Sequence, residues 1–132
     1  MVNQRALSSY QQINVGSAVE SASPHRLVQM LMQGCLQRIA EAKGALVRGD
    51  IPARATAIGK AVDIVIGLQT ALNKEVGSDL PQKLDDLYDY MQARLVEANV
   101  RGDAALLDEV TGLMRSIKEG WDGIAEEVAA AV

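Results

Sequence analysis

The chain has 132 residues, a formal net charge of -4 and a hydrophobic fraction of 48%, yet only 3% of it is aromatic: three Tyr, one Trp and no Phe. Its length suits one domain with a sizeable core, and an apolar content drawn almost wholly from Ala, Val, Ile, Leu and Met argues against disorder and leans helical. The acidic balance excludes a general nucleic-acid binder, which needs clustered Lys and Arg, and the lone Cys35 excludes an intrachain disulfide or a Cys-rich zinc site.

In chain order, Met1–Ala22 reads as a mobile arm rich in Asn, Gln and Ser, in which Leu7, Tyr10 and Ile13 recur three apart. That spacing allows a short amphipathic turn or helix, too short to be stable alone. Met1–Ser23 holds no apolar stretch of the signal-peptide type, and no later run reaches the ~20 residues of a membrane helix. A soluble, cytoplasmic protein is expected.

Ser23-Pro24 opens a first helix, because Ser accepts from orphan N–H groups and Pro suits the first helical position. It runs to about Val47, with Leu27, Met30, Leu31, Gly34, Cys35, Ile39, Ala42 and Leu46 on one face. Arg48-Gly49-Asp50 stops it and caps the next helix, about Pro52–Val76, whose main stripe is Ala55, Ile58, Val62, Val65, Gln69, Leu72 and Val76. Leu80-Pro81 opens a third, carried by Leu84, Leu87, Tyr88, Met91, Leu95 and Ala98. Arg101-Gly102-Asp103 then leads into a fourth, with Leu106, Val110, Leu113, Ile117, Trp121, Ile124 and Val128. The two Arg-Gly-Asp triplets match a cell-adhesion motif, but a cationic helix end, a glycine stop and an aspartate cap account for them.

Short connections reverse the chain each time, so the expected fold is all-α: an antiparallel up-down four-helix bundle over Ser23–Val132, preceded by the arm or short helix of Met1–Ala22. Two helices carry more apolar surface than one buried face needs. The second adds Ala57, Ala61, Ile64, Ile66, Leu68 and Ala71, and the fourth has a second row of Leu107, Met114, Trp121 and Ala125. Either these helices are the more deeply buried ones, or they leave a groove for an amphipathic partner segment. Leu7, Tyr10 and Ile13 are candidates to cover such a groove.

Little points to catalysis, a cofactor or a metal. His25 is the sole His and stands in a first helical turn beside Pro24 and Arg26, with none of the mid-helix setting of a phosphotransfer histidine. Cys35 falls on the core face and is expected to be inert. Asp85, Asp86 and Asp89 favour a helix start and a solvated surface. No Glu-x-x-His pair suits a di-iron bundle. The chain is expected to be no enzyme and to take no small-molecule substrate.

Three stretches carry a family likeness: Ser21-Ala22-Ser23-Pro24-His25-Arg26-Leu27-Val28-Gln29-Met30-Leu31, then Leu87-Tyr88-Asp89-Tyr90-Met91, then Leu95–Asp103 (LVEANVRGD), with Tyr10 before them and Trp121 after. In order and spacing the sequence resembles the flagellin-specific export chaperone family, FliS, from Tyr10 to Trp121. It departs after Leu31, where Met32-Gln33-Gly34 replaces the family's usual aromatic residue, Asp and Gly. The resemblance implies a cytoplasmic helical bundle that binds the C-terminal segment of flagellin and prevents premature polymerisation. It also implies delivery of that cargo to the flagellar type III export apparatus, with the arm around Leu7 and Tyr10 engaging a component of the membrane export gate.

Joined to the apolar surplus, this gives an expected contact set: Ile58, Ala61, Val62, Val65, Leu68 and Leu72 on the second helix, and Leu107, Val110, Met114, Ile117 and Trp121 on the fourth, covered by Leu7, Tyr10 and Ile13. Lys at Val65 or Ile117 is expected to weaken flagellin binding. The alternative is a non-catalytic scaffold or adaptor bundle, self-associating as a homodimer through the same apolar surface.

Overall fold

A computed structural model describes residues 22–75 and 77–124, so Leu7, Tyr10, Ile13, Val76, Ala125 and Val128 lie outside the described residues. Four helices follow in order: α1 (Pro24–Arg48), α2 (Ile51–Thr70), α3 (Leu80–Arg101) and α4 (Ala104–Asp122). Their boundaries have visible causes. The Ser23 hydroxyl accepts from the Arg26 N–H at 3.1 Å, with Pro24 at the first helical position. The Asp50 carboxylate accepts from Ala53 N–H, and Asp103 from Ala105 N–H. Gly49 and Gly102 end α1 and α3 in the left-handed conformation, at φ 73° and 61°. Both Arg-Gly-Asp triplets therefore serve as helix stop and helix cap.

α1 packs on α2, α2 on α3, α3 on α4, and α4 returns to α1, closing a ring of four. Bonds between neighbours set the directions. Early α1 meets late α4 through His25 and Trp121, and late α1 meets early α4 through Lys43 and Asp108. Late α2 meets early α3 through Gln69 and Asp89, and early α2 meets late α3 through Arg54 and Asn99. Late α3 meets early α4 through Arg94 and Glu109. Each of these neighbouring pairs is antiparallel, giving the up-down bundle that short connections require.

The core is aliphatic apart from one ring: Leu31, Met32, Cys35, Ile39, Ile64, Val65, Met91, Leu95, Leu107, Val110 and Met114 surround Tyr88. Each fully buried Leu, Ile, Val or Met contributes about 1.5–3 kcal/mol of transfer free energy. Cys35 is fully enclosed, and burial pushes its thiol up to about 12, consistent with an inert core residue. The Leu87–Met91 motif divides its labour. Tyr88 and Met91 enter the core, while Tyr90 stays 43% exposed and donates its hydroxyl to Glu109 on α4 at 2.7 Å. The Tyr90 hydroxyl and the Arg94 guanidinium together hold the Glu109 carboxyl below the usual carboxylate range.

Two expectations change. α2 ends at Thr70, well short of Val76. Beyond it, the Asn73 side chain accepts from Glu75 N–H, and Lys74 pairs with Asp85 at 3.0 Å, so local polar bonds take over from the helix ladder. Most of the second apolar row of α2 is also not spare surface, Ile66 at 43% exposed being the exception. Ala57, Ala61, Ile64 and Leu68 are as enclosed as Ile58 and Val65, because α2 is flanked by both α1 and α3.

The turn between α3 and α4 yields a stability prediction. A Cβ on Gly102 would stand 3.2 Å from Arg54 Nη1, and that guanidinium is held by bonds from Nε and Nη2 to the side-chain and main-chain oxygens of Asn99. Gly49 meets nothing within 4 Å. Gly49→Ala is expected to cost about 1 kcal/mol for the left-handed backbone alone. Gly102→Ala is expected to cost visibly more in urea denaturation, because strain and contact add.

Candidate functional site

The antiparallel arrangement brings the start of α1, the end of α2, the start of α3 and the end of α4 to one end of the bundle. A cleft of about 300 Å³ opens there. Val28 and Met32 of α1 line it, with Leu68, Ala71 and Leu72 from the end of α2, Leu80, Leu84 and Tyr88 of α3, and Ser116, Ile117, Gly120, Trp121 and Ile124 of α4 and its exit. The spacing explains the lining. Val28/Met32, Leu80/Leu84/Tyr88 and Ile117/Trp121 recur every four residues, so each helix turns one apolar row into the gap. Gly120 adds no side chain to fill it. Leu80, 43% exposed, stands at the rim.

No charged residue lines the cleft among the described residues. Charges nearby are bound to each other. Lys74 and Asp85 pair at 3.0 Å, and Gln69 donates to Asp89 at 2.7 Å. Asp122 takes Lys118 and Gln29, each at 2.7 Å. The bond from Lys74 holds the Asp85 carboxyl below its ordinary range, and the bond from Lys118 does the same for Asp122.

One wall is fastened by a reciprocal clasp. His25 Nε2 donates to the Trp121 carbonyl at 2.8 Å, which requires the proton on Nε2, and Trp121 Nε1 donates to the His25 carbonyl at 3.0 Å. The two rings stack with centroids 5.2 Å apart and planes 20° from parallel. The first turn of α1 thus holds the last turn of α4, and Trp121 is both clasp and cleft wall.

Of the sequence-predicted contacts, the structure brings Leu68, Leu72, Ile117 and Trp121 together at the cleft. Val62 is half-buried and does not line it. Ile58, Ala61, Val65, Leu107, Val110 and Met114 are core residues, at most 3% exposed, and the apolar surplus inferred for α2 and α4 is largely interior packing there. Sequence reasoning did not single out Val28, Met32, Leu80, Leu84, Tyr88 or His25 for this site. Periodicity marks a buried row but not which end of it faces an opening; the only signals were the matched stretches containing His25, Val28 and Tyr88.

A cleft without charge, bounded by four helices, accepts apolar side chains rather than supporting chemistry. Among the described residues, no group of three or more His, Cys, Asp or Glu is placed to hold a metal, and no helix is long and apolar enough to cross a membrane.

The model of the family described as flagellar protein FliS matches residues 6–128. The chain is 50% identical over 125 residues to the flagellar secretion chaperone FliSB of Pseudomonas aeruginosa, covering 95% of this chain and 99% of that protein. It is 41% identical over 122 residues to flagellar secretion chaperone FliS of Vibrio cholerae, covering 92% and 90%. The corresponding Salmonella typhimurium chaperone is 39% identical over 130 residues, covering 98% and 96%.

Proposed function

The chain belongs to the FliS family of flagellar proteins, and on that premise we propose that it is a non-catalytic flagellar secretion chaperone that binds the C-terminal segment of flagellin in the cytoplasm. The observation that carries the reading is the uncharged cleft into which all four helices turn apolar rows. A segment disordered when free and helical when packed would seat apolar side chains there. Ordering it consumes about 2–5 kcal/mol, which apolar burial at roughly 25 cal/mol per Å² offsets over an extensive contact. The contacts proposed in the cleft are Leu68, Leu72, Ile117 and Trp121, with Val62 as a further contact outside it and Leu7, Tyr10 and Ile13 as the cover that cargo displaces.

Held segments cannot pack into a filament, so binding delays polymerisation until export. The reading extends to engagement of the loaded chaperone by a component of the export gate, through the arm around Leu7 and Tyr10. It extends also to weak self-association of the free chain, supported by the exposed Ile51 and Ile66 on α2 and Val96 and Val100 on α3. Filament growth followed by light scattering tests the chaperone role. Equimolar chaperone is expected to suppress growth of purified flagellin, and undiminished growth would count against it.

A further inference from the structure

Tyr88 is a large side chain in the cleft lining and is 2% exposed. Its hydroxyl makes no hydrogen bond, in contrast to Tyr90 two residues on, which donates to Glu109. No side-chain nitrogen or oxygen among the described residues is both sealed from solvent and unbonded. The Tyr88 hydroxyl therefore keeps contact with open space, and the space its side chain borders is the cleft. The other side chains lining the cleft are apolar except for Ser116, whose exposed hydroxyl makes no bond to Tyr88. Cys35, one turn beyond Met32 on α1, is wholly enclosed.

A phenol held in this way discriminates between ligands. In the free protein it can be hydrated through the cleft. A ligand that is apolar throughout covers it and strips that water with nothing in return, which is unfavourable for a buried polar group. A ligand that brings an acceptor keeps the bond and makes it in a drier, lower-dielectric setting. A site built around a hydrogen-bonding group rejects partners lacking the complement more sharply than an apolar pocket rejects a misfit.

We propose that the Tyr88 hydroxyl is the recognition point of the cleft: an apolar anchor of the cargo fills the gap, and an oxygen beside it, from an unpaired main-chain carbonyl or a side-chain amide, accepts from Tyr88 Oη. The inference rests on the cleft being the cargo site. Helical cargo has such oxygens at hand, because the last four carbonyls of a helix lack intrahelical partners. The role also gives Tyr88 a reason to be Tyr where Phe would fill the core equally well.

The test is Tyr88→Phe, which keeps the ring and removes a hydroxyl bonded to nothing within the protein. Thermal stability is expected to be unchanged or slightly raised, while affinity for flagellin's C-terminal segment falls about 10-fold, the size of one well-placed hydrogen bond in a dry site. Unaltered affinity in the folded variant would overturn the proposal. If the wild-type chain bound no flagellin segment, the cargo reading itself would fall, and Tyr88 would be judged on two probes instead, 2-heptanone and heptane, titrated against wild type and Tyr88→Phe by NMR. A preference for the ketone that drops about 10-fold in the variant supports an acceptor site at Tyr88; the same ketone-to-alkane ratio in both proteins overturns it.

Discussion

Replacing Val65 by Lys is expected to destabilise the bundle by about 3–5 kcal/mol, a large part of the ~5–15 kcal/mol that holds a domain of this size folded. Val65 has no exposed surface, and Ala61 and Leu68, one turn either side on α2, are 0% and 3% exposed. The Lys stem would have to thread past core side chains to reach the half-buried flank at Val62 and Gln69, and among the described residues no carboxylate is buried in the core to receive the ammonium. Thermal unfolding by circular dichroism should show a midpoint lower by roughly 15–30 °C. Any loss of flagellin binding in this variant would follow from lost folding. Its place in an apolar helical row made Val65 a candidate groove residue, and its enclosure between α1 and α3 changes what the substitution tests.

Ile117→Lys is expected to do the opposite: leave the bundle folded and lower affinity for the flagellin segment on the order of 100-fold. Ile117 is only partly buried and lines the cleft, with exposed Ser116 and Gly120 beside it. A Lys stem can lie along the α4 surface and carry its charge past Gly120 into water. The free protein then loses little. Seating cargo would bury or displace that charge and would forfeit the apolar wall, so the whole cost falls on binding. Calorimetric titration gives the affinity, and an unchanged melting midpoint establishes that the loss is local.

The contrast between these two residues marks how far the sequence could be followed. Helix starts at Ser23-Pro24 and Leu80-Pro81, and the two Gly-Asp turns, are local chemistry and are legible in a few residues. The α2 terminus is not, because Gln69, Leu72 and Val76 continue the helical spacing while Asn73 and Lys74 find partners that only the folded turn and α3 supply. The apolar character of the cleft walls was legible, and the position of the opening along them was not. Apolar rows on α2 and α4 do mark its walls, but a row says nothing of depth. Val65 and Ile117 look alike as sequence, and differ because Val65 is enclosed between α1 and α3 while Ile117 stands at the bundle end where four helix termini leave a gap. For His25 the matched stretch was the only signal and its role was not legible, since a clasp to Trp121, 96 residues away, is set by the meeting of α1 and α4.

The architecture also separates rigidity from recognition. Paired charges, Lys74 with Asp85 and Lys118 with Asp122, stand near the cleft without entering it, and the His25–Trp121 clasp fastens one wall. Walls fixed in advance reduce the ordering that binding must overcome, which favours a partner that is itself disordered before it docks.

The most direct test of the central claim is titration of the folded chain with flagellin's C-terminal segment, with helicity followed by circular dichroism and the single Trp121 by its fluorescence. Saturable binding at micromolar concentration or tighter is expected, with helix content above the sum of the separate components and a change in Trp121 emission, both sharply weakened by Ile117→Lys. No binding at micromolar concentration, or binding that Ile117→Lys leaves intact, would contradict the assignment of the cleft as the cargo site.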